Sequence, residues 1–101
     1  MVYNGIIIEM FGGPALEISY TILGNSIYNA RLNAGLSPMQ AANLLQLSVE
    51  RYNRIERGET IPTLQMLVNI CCAFGTTVDS LLKACYDDYF TRRQAEEKAH
   101  R

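Results

Sequence analysis

The stretch "SPMQAANLLQLSVERYNRIERG", residues 37–58, holds two short helical patterns joined by a tight turn. Ser37 precedes Pro38, so a capping hydroxyl stands before a proline at the first helical position, and Gln40 occupies the returning position of a capping box. This predicts a helix over 38–45. Ser48 caps a second helix, over about 48–57, with Glu50 near its positive end and Tyr52 and Ile55 facing inward at a spacing of three. Gly58 stops it. Glu50, Arg51, Asn53, Arg54 and Arg57 are left over, more polar groups than a helix that only fills a core requires.

Helical periodicity extends in both directions from this centre. From Thr21 onward Leu23, Ile27, Ala30 and Ala34 recur at steps of three and four, and the "NAG" at 33–35 supplies a glycine stop. After "ETIP", Leu64, Leu67, Ile70, Cys71 and Phe74 trace one apolar stripe that ends at Gly75. Thr77 caps a fifth pattern, "VDSLLKACYDDYF", whose polar tail "TRRQAEEKAHR" frays or continues as helix. Tyr86, Tyr89 and Phe90 give that last helix an apolar edge, suited to the core or to a dimer seam. Residues 2–22 are β-flavoured around "GGP", which reads either as a hairpin or as a helix opened by Pro14. The expected fold is therefore all-α with five helices. An N-terminal extension (1–20) carries a short hairpin or strand, a five-helix domain follows (21–82), and a helical tail (83–101) ends the chain.

With 101 residues, 49% of them apolar, the chain can bury a core the size of one domain. No apolar run approaches the roughly 18 residues of a membrane span, and "MVYNGIIIEM" has neither a basic leader nor a small-residue cleavage site. A cytoplasmic protein without membrane contact is expected. Cys71, Cys72 and Cys85 show no metal-ligand spacing, and the single histidine, His100, lies in the charged tail. No metal or cofactor is expected. Neither is catalysis, because no nucleophile stands beside a base and "FGGP" is too short and lysine-free to cradle phosphate. The net charge of −1 argues mildly against nucleic acid. Its distribution argues the other way: residues 1–30 hold Glu9 and Glu17 and no base, whereas Arg31, Arg51, Arg54 and Arg57 crowd one stretch.

Two helices of about eight residues joined by a three- or four-residue turn make a helix-turn-helix, whose second helix can lie in a major groove. Ala42 is small where the pair crosses, Tyr52 and Ile55 plug the second helix onto the core, and Val49, Glu50, Asn53 and Arg54 point outward. Val49 is suited to a thymine methyl. On "LGNSIYNARLNAGLS", "ERGETIPTLQMLVNI" and "AFGTTVDSLL", residues 21–82 resemble the phage-repressor-like, Cro-type helix-turn-helix family, also called the xenobiotic-response-element family. The resemblance implies a lambda-repressor-like fold and a buried pair between Arg31 and Glu56, in which loss of one partner costs about 3–5 kcal/mol. It further implies phosphate contacts at Ser37, Asn53, Arg57 and the backbone around Gly58, and base reading at Ser48, Val49, Glu50 and Arg54. Arg51 joins this DNA-binding set as a cation of the same helix. Three residues depart from the family pattern. Pro38 lacks the N–H that its counterpart offers, Gln46 replaces a turn glycine, and Glu50 stands where glutamine is common. An acid there must accept from a cytosine N4 or pair with Arg54 at i+4.

The function these features imply is a homodimeric, sequence-specific regulator of transcription on double-stranded DNA, a repressor, with the third helix in the major groove. The alternative is a protein-interaction module, such as an antitoxin or adaptor with a protein partner and weak DNA binding. The acidic balance, Glu50, Glu59 and the donor missing at Pro38 favour it.

Overall fold

The computed structural model describes residues 17–99, and among them the chain forms five helices and no strand. They are α1 (Tyr20–Asn33), α2 (Pro38–Leu44), α3 (Val49–Glu56), α4 (Leu64–Phe74) and α5 (Val78–Ala99). Each starts on a hydroxyl cap, as the sequence reading expected for α2, α3 and α5. The Oγ atoms of Ser19, Ser37, Ser48 and Thr63 accept the N–H three residues on, and Thr77 does the same for Ser80. At α2 the capping box is complete, since the Gln40 side chain accepts the Ser37 N–H at 2.8 Å. The helices stop on left-handed residues: Gly35 after α1, Gln46 after α2, Gly58 after α3 and Gly75 after α4. Gln46, at φ 56°, is the one non-glycine among them and carries roughly 1 kcal/mol of strain that a glycine would not.

The hairpin reading lies mostly on residues outside the described ones. Where the two overlap it is corrected: Tyr20, Thr21 and Ile22 open α1, because Ser19 takes an extended conformation and caps the helix there. The same cap excludes a helix running unbroken from Pro14 into α1. The chain enters α1 along α5, where the Glu17 carbonyl accepts from Arg92 at 2.6 Å and the Ser19 carbonyl from the Cys85 thiol at 3.7 Å.

Helix α1 is the centre of the packing and touches α3, α4 and α5, while α2 packs chiefly on α3. The core combines Leu23 and Ile27 of α1, Ala41 and Ala42 of α2, Tyr52 and Ile55 of α3, Ile70 and Phe74 of α4, and Leu81 and Cys85 of α5. Ile27, Tyr52 and Ile70 are fully buried, each contributing about 1.5–3 kcal/mol of hydrophobic stabilisation. Tyr52 meets Phe74 edge to face, with ring centroids 6.3 Å apart. Two residues assigned to apolar stripes stay outside this core. Ala34 is the exposed C-cap of α1, and Leu64, the first residue of α4, is 73% exposed. Cys71 and Cys85 are buried and Cys72 is exposed; burial raises the Cys71 and Cys85 thiols above their ordinary range, which suits core residues. No single helix among the described residues is long and apolar enough to cross a membrane.

Candidate nucleic-acid interface

Helix α3 is held from behind by a charged clamp. Arg31, 5% exposed, points two N–H groups at the Glu56 carboxylate, Nε to Oε2 at 2.7 Å and Nη2 to Oε1 at 3.3 Å. Its Nη1 donates to the Leu36 carbonyl at 2.9 Å, and the Tyr52 hydroxyl donates to Glu56 Oε2. The ion pair implied by the resemblance is thus present. Because Arg31 holds both the Glu56 carboxylate and the Leu36 carbonyl, it fixes α1, the α1–α2 turn and the C-terminal end of α3 together. Hydrogen bonding to Glu56 raises the Arg31 guanidinium further above its ordinary value, against the opposing effect of burial. Burial, with the Glu56 bond second, drives the Tyr52 phenol well above its usual 10.

Glycine completes the attachment at two places. A Cβ on Gly24 would lie 2.2 Å from the Glu56 carbonyl oxygen, and one on Gly58 would lie 2.7 Å from the Thr21 nitrogen. The start of α1 therefore presses its backbone against the end of α3. The α2–α3 turn is equally fixed: the Leu47 N–H reaches the Ala42 carbonyl at 2.9 Å and the Gln46 N–H the Asn43 carbonyl at 3.1 Å, a Schellman closure. With Ala41 and Ala42 fully buried beneath it, α2 approaches α3 closely.

The opposite side of α3 faces outward. Glu50, Arg51, Arg54 and Arg57 are exposed, and so are Ser37 and Ser48 at the helix mouths. Asn53 is half-buried on the flank towards α1. Val49 is half-buried too, packed against the core, so less of it is available to a base than the sequence reading assumed. Ser37 and Ser48 use an oxygen lone pair for their caps, which leaves each hydroxyl proton free to donate. Glu50 and Arg54 form no ion pair with each other, so the i+4 neutralisation of Glu50 is absent. Arg57 instead pairs with Glu59, both more than half exposed, and that hydrogen bond holds the Glu59 carboxyl below the usual carboxylate range.

Between α3 and α1 runs an open cleft lined by Thr21, Asn25, Tyr28, Asn53, Glu56 and Arg57. The sequence reading did not single out its α1 wall. Positions 21, 25 and 28 share one helical flank at i, i+4 and i+7, but only the crossing of α1 over α3 turns that flank into part of the same surface. Among the described residues no group of three or more His, Cys, Asp or Glu side chains could hold a metal ion.

Solved structures share this architecture. Two crystal structures of the clp gene regulator ClgR from Corynebacterium glutamicum superpose with a TM-score of 0.66 each. One is 19% identical and covers 76% of this chain and 99% of its own; the other is 20% identical and covers 83% and 89%. At that identity they establish the fold. No curated protein matches the chain. The family model described as helix-turn-helix matches residues 27–81, which takes in the Arg31–Glu56 clamp, the α2–α3 pair and the start of α5. With clamp, turn and model in agreement over more than half its length, the chain belongs to the phage-repressor-like helix-turn-helix family of DNA-binding regulators.

Proposed function

We propose that the protein is a sequence-specific transcriptional regulator, a repressor, that binds double-stranded DNA as a homodimer with α3 in the major groove. The observation that carries this is the division of α3: Tyr52 and Ile55 are buried and Glu56 is clamped, while Glu50, Arg51 and Arg54 stand exposed on its other side. In this reading Ser48, Val49, Glu50 and Arg54 take base edges, Ser37, Asn53 and Arg57 take phosphates, and Arg51 adds positive charge facing the backbone. Glu50 accepts from a cytosine N4, because among the described residues no cation pairs with it. One helix of this length reads only a few base pairs, so two copies on half-sites one helical turn apart supply the discrimination. A dimer seated on a promoter represses by occupancy, in the cytoplasm with the DNA it reads. The fold shared with a protein described as a clp gene regulator agrees with a regulatory role.

Selection of bound duplexes from a random pool tests the reading. Enrichment of a palindrome supports it and reports symmetry and sequence together. An unenriched pool, with a stoichiometric protein co-purifying, overturns it in favour of the interaction-module reading that Glu50 and the Arg57–Glu59 pair would suit.

A further inference from the structure

The α1 wall of the cleft beside α3 carries Thr21, Asn25 and Tyr28. Helix α1 contains no aspartate or glutamate along its 14 residues, so this flank presents hydroxyl and amide groups without a repelling charge. Among the described residues the side chains of Thr21, Asn25 and Asn53 make no hydrogen bond to protein. The one carboxylate lining the cleft, Glu56 of α3, is occupied by two N–H groups of Arg31 and by the Tyr52 hydroxyl. The Tyr28 ring lies 5.1 Å from the Arg31 guanidinium, whose Nη1 also holds the Leu36 carbonyl next to Ser37. The cleft thus places the polar side chains of α1 beside Arg57, and Arg31 ties Tyr28 to the turn that precedes α2.

A helix about 10–12 Å across nearly fills a major groove about 12 Å wide, so its outermost row meets base edges and its flanks meet the phosphates of the walls. Asn53 is on such a flank and lines the cleft with Asn25 and Tyr28, while Gly24 seats α1 against the Ile55–Glu56 backbone at the end of the same helix. We infer that the cleft is a seat for phosphodiesters of the strand bounding the groove, in which Asn25 and Tyr28 donate to phosphate oxygens beside Arg57. The inference rests on the DNA-binding reading above and extends the contact surface from α2 and α3 to α1.

The test uses the whole chain, the selected duplex and a random duplex, with single phosphates replaced by uncharged methylphosphonate. Asn25→Ala weakens binding to both duplexes alike by about three- to tenfold and leaves the salt slope unchanged, because a neutral amide releases no counterion. Tyr28→Phe, which keeps the ring over Arg31, has the same signature. Asn25→Lys tightens binding and steepens the log–log salt slope by about one, a gain that a merely structural asparagine would not give. One methylphosphonate position weakens the wild type and not Asn25→Ala. If Asn25→Ala and Tyr28→Phe bind like wild type and Asn25→Lys leaves the slope unchanged, the seat is overturned and the regulator reading stands. If the wild type is retained by no duplex, both are overturned.

Discussion

Arg54 and Arg57 lie three residues apart at the end of one helix, yet their surroundings separate their roles. Arg54 is exposed on the outermost row, while Arg57 borders the cleft and shares its charge with Glu59. Arg54→Ala is expected to cost about 1–3 kcal/mol on the selected duplex and little on a random one, which relaxes preference at one base position. Arg57→Ala weakens both duplexes alike and lowers the salt slope by about one. Gel shifts across a salt series separate the two outcomes. Tyr52 makes a second prediction at this scale. Its phenol is neutral in the fold, with a folded pKa raised above the ordinary 10. The unfolded chain therefore loses that proton first, so the stabilisation is fully present below about pH 10 and falls as pH rises towards the folded value. Urea midpoints measured from pH 8 to pH 11 should decline at the alkaline end, and Tyr52→Phe should make the decline shallower.

At the scale of elements, the angle between α1 and α3 depends on the absence of a side chain. A glycine inside a helix ordinarily costs up to about 1 kcal/mol relative to alanine, so propensity alone favours Gly24→Ala. The Cβ would meet the Glu56 carbonyl, which is backbone and cannot rotate away, and overpacking of that kind costs about 1–3 kcal/mol. The steric effect wins: Gly24→Ala should lower the urea midpoint and weaken DNA binding, and a raised midpoint would show that the close approach is wrong. The same contact marks the limit of what the sequence discloses. Caps and stops were legible because each is local chemistry, Ser37 with Gln40 or Gly58 after Arg57. The inward pair Tyr52 and Ile55 was legible from spacing. Leu64 and Ala34 were not, because periodicity names a face of a helix without saying how far along it the neighbours reach. The burial of Arg31 came through resemblance, and the cleft wall of Thr21, Asn25 and Tyr28 escaped because it exists only once α1 crosses α3.

For the molecule as a whole, the proposed homodimer makes the spacing of its two reading helices a fixed length. An operator whose half-sites are moved apart by half a helical turn, about five base pairs, puts the second site on the far face of the duplex. Affinity should fall at least about tenfold on such a duplex and return in part when a full turn is inserted, as measured by gel shift against the selected sequence. The position of α1 among the five helices has a separate consequence. It alone touches α3, α4 and α5, so no neighbour can detach without uncovering it, whereas α2 is attached chiefly through α3. Amide protons from Leu23 to Ala30 should then exchange with deuterium only when the entire chain opens, and those of α2 should exchange through a smaller, cheaper fluctuation. The helix that brings Ser37 to a phosphate would then be the one that breathes, suspended from a part that does not.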